Sequence, residues 1–236
     1  MILASVGSDF TGAFTFMGDN TQLLLTSTWK HIELTLITMG ITLAIALPLG
    51  VWLGHIKRFS FLAINISNFG RALPSLAVIS LLLPAFGVGN TTVIFALVVL
   101  AVPPVLTNSY VAVSQVDPDA VEAAVGMGMN PLGVLTRVEL PLAIPLMFAG
   151  IRTATVYVIA TATLGGFFGG GGLGDIIANQ PAYRFTGVLA ASIWVAVLAL
   201  LAEFVLGTVQ YLLTPRGLRA GRGGAQSALV PATETA

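Results

Sequence analysis

Residues 122–141 read EAAVGMGMNPLGVLTRVELP, and this stretch decides how the chain is organised. It is a polar, glycine-containing segment with a long apolar run on either side. Glycines and an Asn-Pro pair are typical of turns, whereas apolar runs of this length are typical of membrane helices. The stretch therefore divides the chain into two hydrophobic parts, joined by a segment suited to water.

Signals for the start of a helix occur on both sides of the turn. Asp117 can cap a helix, and Pro118 suits its first position. Glycines at 126 and 128 weaken that helix and offer an end, and Asn130-Pro131 repeats the start signal. A second short helix is expected over about 132–138, ended by Leu140-Pro141, where the next apolar run begins. The sequence predicts a small-faced helical hairpin outside the bilayer.

Composition gives the broad class of the protein. Of the 236 residues, 56% are hydrophobic and 8% are charged, whereas a soluble domain has about 25% charged residues. We therefore expect an integral membrane protein. The net charge of zero provides no basic field for nucleic acid, and the absence of cysteine excludes disulfides and thiolate metal sites.

Five apolar stretches have the length of about 20 residues that a membrane helix needs. They are 32–53, 61–86, 91–113, 142–168 and 187–213. We expect an all-α membrane domain over 31–215, with the connector 114–141 outside the bilayer. Residues 1–30 are predicted to be a partly ordered extracytoplasmic segment. The small, polar tail 216–236 is predicted to be disordered.

The distribution of basic residues predicts the orientation of the bundle. Cytoplasmic loops of membrane proteins carry an excess of lysine and arginine. With five spans, one side of the membrane has Lys57, Arg58, Arg137, Arg216, Arg219 and Arg222, and the other has Lys30 and Arg184. This asymmetry predicts an external N-terminus, a cytoplasmic C-terminus and a cytoplasmic connector.

The connector has two interpretations. It could be a structured loop that only joins two spans, which is the common case. Joining two helices needs only a few residues, however, and this connector has roughly 28. Its alanines and glycines keep one face small, so that another protein could approach closely. On physical grounds alone, a simple connector and a docking surface remain equally open.

The spacing within the stretch resembles a family pattern. EAA at 122–124, three residues, Gly128, nine residues and VELP at 138–141 are similar to the EAA loop of permease subunits of binding-protein-dependent ATP-driven importers. The family pattern is EAA-x3-G-x9-I-x-LP, and valine replaces its isoleucine here. The resemblance implies a coupling helix that docks on a cytoplasmic ATPase, with the motif residues Glu122, Ala123, Ala124, Gly128, Leu140 and Pro141.

Three further segments narrow the resemblance. They are RALPSLAVISLLLPAFGVG at 71–89, PLAIPLMFAGIRTATVYVIATATLGGFFGGGGLGD at 141–175 and LLTPRGL at 212–218. They are similar to permeases for osmoprotectants such as glycine betaine, carnitine and choline. The alternatives are an importer permease for another small solute, such as an amino acid, and an ion-coupled secondary transporter.

The resemblance also implies the fold and the partners. The fold would be that of a type I importer permease in the bacterial inner membrane. The partners would be two copies of an ATP-binding subunit, a second permease that is identical or related, and an extracytoplasmic substrate-binding protein. No glycine-rich ATP-binding motif precedes either lysine of this chain. We therefore expect no ATPase activity in the chain itself, and no cofactor.

Charges inside the predicted spans are costly unless they are paired or hydrated. Arg71, Arg152 and Glu203 each lie about ten residues from the cytoplasmic end of a span, which places them roughly 15 Å deep. We expect Glu203 to pair with Arg152 or Arg71, or the arginines to face a wet cavity. A structural role in helix packing is favoured over a gate.

Two other features invite a functional interpretation. Gly169, Gly170, Gly171, Gly172 and Gly174 form a glycine-rich segment at the outer end of the fourth predicted span. It is expected to be a turn, or alternatively a flexible gate of the pathway. His31 and His55 lie at opposite ends of the first predicted span, where we expect interfacial positions and no metal site.

Overall fold

A computed structural model describes residues 2–57, 61, 65, 72–215 and 217, with only the backbone for residues 2–6. Within these residues every regular element is helical. The α-helices are α1 Ile2–Asp19, α2 Thr21–His55, α3 Ser75–Phe86, α4 Asn90–Ser114, α5 Pro118–Gly126, α6 Pro131–Val134, α7 Leu140–Ala162, α8 Leu173–Ala178 and α9 Gln180–Leu213. A π-helical segment, Leu135–Glu139, joins α6 to α7, and a 3-10 helix, Thr163–Phe168, follows α7.

Four helical runs among the described residues are long and apolar enough to cross a membrane. They are Thr21–His55, Asn90–Ser114, Pro131–Phe168 and Gln180–Leu213. The predicted span 61–86 lies partly outside the described residues, and its described part contains the apolar helix α3, of 12 residues. The predicted tail 216–236 lies outside them except for residue 217. The chain is therefore an all-α integral membrane protein.

Helix α4 occupies the centre of the bundle. Its side chains pack against α2 and α7 in one continuous core, formed by residues such as Leu34, Leu97, Ala101, Val105 and Val158. Its opposite side contributes Ala96 and Leu100 to a smaller cluster with α3. Since α4 leads directly toward the connector, the connector begins at the most buried helix of the fold.

The contact between α2 and α4 is made by backbone as well as by side chains. A Cβ atom at Gly50 would lie 2.6 Å from the carbonyl oxygen of Leu106, and one at Gly54 would lie 2.7 Å from that of Tyr110. Any side chain at these positions would force the helices apart. Small residues allow such close approach in membrane helices, so these two glycines fix the spacing of α2 and α4.

The N-terminal part of the chain differs from the partly ordered segment that we expected. Residues Ile2–Asp19 form α1, and α2 begins at Thr21, well before the predicted span. The reason is tertiary packing: α1 lies against the start of α9, where the rings of Phe16 and Tyr183 meet edge to face at 6.4 Å. Ala13 is fully buried in this contact region.

Enlarging Gly50 tests the contact between α2 and α4. We expect Gly50→Val to destabilise the protein by about 1–3 kcal/mol, as overpacking of a tight core does. Thermal unfolding of the detergent-purified protein, followed by tryptophan fluorescence, measures this effect. Gly40→Ala on the same helix is the matched control, because a Cβ there meets nothing within 4 Å. Equal melting temperatures for the two variants would contradict the assigned contact.

Candidate functional site

The connector begins with a well-capped helix. The side chain of Asp117 accepts a hydrogen bond from the backbone amide of Asp119 at 3.0 Å. Pro118 occupies the first turn of α5, where its missing amide proton removes no helical hydrogen bond. These local interactions define the start of α5 without help from the membrane helices, which explains why its start could be predicted from the sequence.

The first three motif residues lie on different faces of α5. Glu122 and Ala123 are exposed, whereas Ala124 is 1% exposed and faces the rest of the chain. Three large apolar side chains near Glu122 and Ala123 in the chain are also uncovered: Val125, Met127 and Leu132. The connector therefore exposes large apolar side chains close in sequence to a charged one, which makes it a candidate docking surface. We call Glu122, Ala123, Val125, Met127 and Leu132 the coupling face.

Gly128 forms the turn between the two legs of the connector. Its φ angle is +83°, a left-handed conformation that residues with a side chain rarely adopt. Its amide donates a hydrogen bond to the carbonyl of Val125 at 2.9 Å, which ends α5. Asn130 then caps α6, because its side-chain oxygen accepts a hydrogen bond from the amide of Gly133 at 2.7 Å.

The second leg corrects one prediction, because Leu140-Pro141 does not end a helix. The helical run continues from Pro131 to Phe168, passing through the π-helical segment Leu135–Glu139. There the amide of Leu140 donates to the carbonyl of Leu135, five residues back. This shift of register lets proline enter the first turn of α7 without ending the run. Both Leu140 and Pro141 are partly buried at this junction.

A hydrogen bond between His55 and the buried side chain of Glu139 connects the end of the connector to α2. The Nδ1 atom of His55 lies 2.5 Å from a carboxylate oxygen of Glu139, and the side chain of Glu139 is only 2% exposed. From the sequence we expected an interfacial position for His55, and Glu139 had no assigned role. One signal was available, namely that an acidic residue beside the start of an apolar span needs a partner.

The other histidine is also more buried than we expected. His31 is 1% exposed, and its Nε2 atom lies 3.0 Å from the carbonyl oxygen of Ile159 on α7. His31 packs inside the bundle because α2 begins at Thr21, 11 residues before the predicted span, while its position at the membrane interface stays a prediction. Gly172 packs directly over His31, where an added Cβ would lie 3.2 Å from the Cβ of the histidine.

Two of the three predicted intramembrane charges lie together. A guanidinium nitrogen of Arg152 on α7 contacts the carboxylate of Glu203 on α9. A second nitrogen of Arg152 donates to the side-chain oxygen of Gln210 at 2.8 Å, and Gln210 in turn donates to the carbonyl of Pro145 at 3.0 Å. Arg71 lies outside the described residues. The network joins α7 to α9 and explains how charges are accommodated at this depth.

The glycine-rich segment forms a compact turn. Gly169, Gly171 and Gly172 have φ angles of 72°, 72° and 76°. Gly170 donates from its amide to the carbonyl of Gly165 at 2.8 Å. A Cβ at Gly174 would lie 2.4 Å from the carbonyl oxygen of Thr163. Glycine is thus needed for backbone shape and close packing, while movement of this segment as a gate stays a prediction.

The turn also borders a polar cleft of ≈ 350 Å³ at the end of the bundle opposite to the connector. Its lining includes Lys30, Glu33, Asn90 and Asp175. Burial raises the pKa of the Asp175 carboxyl, while the charge of Lys30 and a backbone hydrogen bond from Gly171 act in the opposite direction. Within the described residues, no group of acidic, histidine or cysteine side chains has the arrangement of a metal site.

Comparison with known proteins agrees with this architecture. Residues 46–219 match the family described as the inner membrane component of binding-protein-dependent transport systems. The chain is 38% identical over 213 residues to carnitine transport permease protein OpuCB of Listeria monocytogenes, covering 90% of this chain and 98% of that one. It is also 38% identical over 210 residues to glycine betaine/carnitine/choline transport system permease protein OpuCB of Bacillus subtilis, covering 87% and 95%.

A solved structure shares the fold. The structure of inward-facing conformations of the MetNI methionine ABC transporter matches with a TM-score of 0.73, covering 83% of this chain and 98% of that one. Sequence identity is 22%, so this likeness concerns the fold alone. The predicted type I importer permease fold is confirmed.

Removing one member of the Arg152–Glu203 pair should show how much an unpaired charge destabilises the protein. We expect Arg152→Leu to destabilise the protein by about 2–3 kcal/mol, because it leaves the carboxylate of Glu203 unpaired within the membrane. The double variant Arg152→Leu/Glu203→Leu should recover most of this loss, since two apolar groups can replace an ion pair in apolar surroundings. Thermal unfolding in detergent checks both values. A double variant less stable than Arg152→Leu would contradict the pairing.

Proposed function

The chain belongs to the family of inner membrane components of binding-protein-dependent transport systems, and from this membership we propose that it is the permease of an ATP-driven osmoprotectant importer. The solute would be a quaternary amine such as glycine betaine, carnitine or choline. The names of the two permeases compared above support this class, since they are described as carrying these compounds. Their similarity extends over nearly the whole length of both chains.

The observation that carries the proposal is the coupling face on a capped helical hairpin. Glu122 and Ala123 point away from the chain, while Ala124 is buried against it. Three large apolar side chains near this point of the chain, Val125, Met127 and Leu132, are exposed as well. Large exposed apolar patches mark protein interaction sites. Two ATP-binding subunits are the proposed partners, one for each permease of a pair.

Import would proceed by alternating access. ATP hydrolysis takes place in the partner subunits, and closure of those subunits would displace α5. Because the connector is continuous with α4 at one end and α7 at the other, this displacement would tilt both helices. The pathway would open toward an extracytoplasmic binding protein, and the return movement would release the solute inside the cell.

The proposed location is the bacterial inner membrane, with the N-terminus outside and the C-terminus in the cytoplasm. The second permease of the pair would be either an identical or a related chain. Within this arrangement the glycine-rich turn and the polar cleft would lie at the outer end of the pathway. The network of Arg152, Glu203 and Gln210 would hold α7 and α9 together as they move.

Two alternatives have less support. An importer permease for another solute, such as an amino acid, shares the fold, but the relatives of higher identity are described as osmoprotectant permeases. An ion-coupled secondary transporter needs an acidic group that binds and releases the coupling ion. The carboxylate of Glu203 is instead in contact with a guanidinium group.

Uptake by reconstituted vesicles tests the proposed function. Vesicles that contain the permease, its ATPase and the binding protein should accumulate labelled glycine betaine, carnitine or choline when ATP is supplied. We expect no accumulation when the ATPase subunit is omitted, because this chain has no ATP site of its own. Uptake without that subunit, or uptake of amino acids in place of all three quaternary amines, would refute the proposal.

Two loop variants test the role of the connector in the same assay. We expect Gly128→Val to lower the rate of uptake at least about tenfold. A β-branched residue is strained at positive φ and would distort the hairpin. Gly126→Ala is the matched control, since its added Cβ meets nothing within 4 Å and its φ is not positive. Membrane insertion, measured by immunoblotting, should be equal for both. Equal uptake by both would count against the docking role.

A further inference from the structure

The pair formed by Glu139 and His55 connects parts of the chain that are 84 residues apart. Glu139 is the last residue of the π-helical segment, at the end of the connector, and His55 is the last residue of α2. A carboxylate that is 2% exposed requires a partner to offset the loss of water. Among the described residues its hydrogen-bonding partner is the Nδ1 atom of His55.

The other leg of the connector is held at the adjacent position of α2. A Cβ at Gly54 would lie 2.7 Å from the carbonyl oxygen of Tyr110 and 2.9 Å from the Cβ of Val113, both on the last turns of α4. Backbone contact therefore holds the outgoing leg at Gly54, and the hydrogen bond between Glu139 and His55 holds the returning leg. Both legs of the connector meet the same end of the first membrane helix.

The two contacts differ in how they respond to movement. Packing at Gly54 brings α2 against the backbone of α4 along the last turn of both helices, so the two helices would move as one body. The pair at His55 is a single directional contact to a π-helical segment, and such segments are frequent at functional sites. Movement of the coupling face would therefore reach α2 through α4 by packing and through Glu139 by a charged hydrogen bond.

We propose that His55 and Glu139 form a positioning pair, which transmits movement of the coupling face to the first membrane helix. The inference rests on the proposed function, because it requires a partner ATPase at the coupling face. It assigns a role in coupling to His55, which lies outside the connector, and to the buried carboxyl group of Glu139. Neither residue belongs to the coupling face, and neither would take part in ATP hydrolysis itself.

Three variants of the reconstituted complex separate transmission from stability. His55→Leu removes the partner of Glu139. His55→Asn keeps a side-chain nitrogen near the place of Nδ1. The double variant His55→Leu/Glu139→Leu removes both polar groups, which restores stability when two apolar groups fit a buried site. The measurements are the ratio of glycine betaine taken up to ATP hydrolysed, and the melting temperature.

We expect His55→Leu to lower the uptake-to-hydrolysis ratio about tenfold, the effect of losing one charged hydrogen bond in one state. His55→Asn should keep most of the ratio. The double variant should regain the melting temperature while its ratio stays low. The inference fails if the double variant regains the ratio together with the melting temperature, or if His55→Leu lowers uptake and hydrolysis in equal proportion.

A second readout does not depend on the solute. Val88, at the opposite end of α4 from the connector, is 76% exposed, and Val88→Cys would report movement there by its rate of maleimide labelling. ATP should change this rate in the complex, and His55→Leu should abolish the change. If the unaltered complex takes up no quaternary amine but shows the labelling change, only the proposed solute is wrong. If His55→Leu retains the labelling change, the transmission role is wrong.

Discussion

The close contact between α2 and α4 is the constraint on which the rest of the arrangement depends. Gly50 and Gly54 bring the two backbones so near that no side chain fits between them. This spacing places the end of α4, where the connector begins, beside the end of α2. The returning leg can then reach His55 through Glu139, so that the hairpin stands on two fixed points. We expect a hairpin that is packed against α2 at both ends to transmit movement to that helix, and one packed at a single end to move independently of it.

The membrane accounts for the polar interactions inside the bundle. A charge in the bilayer is costly unless a partner is supplied, and the carboxylate of Glu203 has one in Arg152. The same requirement applies to buried polar groups such as His31, which is matched by a carbonyl of α7. Each of these contacts joins two helices, so satisfying a polar group also fixes helix packing. The connector, which we propose to lie outside the bilayer, would be free of this requirement and could present charged and apolar groups together to a partner.

The sequence predicts the features that depend on neighbouring residues and misses those that depend on distant ones. The caps at Asp117 and Asn130 act within three residues, and the spacing of the EAA loop identifies the family. Counting residues along the spans placed Glu203 at the same depth as Arg71 and Arg152. The contact with Arg152 became visible only in the tertiary structure. The pair of His55 and Glu139 was missed because 84 residues separate its members. The change of register before Pro141 was also missed, although its hydrogen bond spans only five residues, because the proline was interpreted as the end of a helix.

Helix α5 buries Ala124 against its own chain, and we propose that its exposed face contacts an ATPase. Because the protein has no cysteine, single cysteines can be placed at 122 and at 124 without further changes. Cross-linking to a cysteine-scanned ATPase subunit in native membranes measures which face makes the contact. The account predicts efficient cross-links from Glu122→Cys and none from Ala124→Cys. Equal cross-linking from both positions, or cross-linking from position 124 alone, would contradict it.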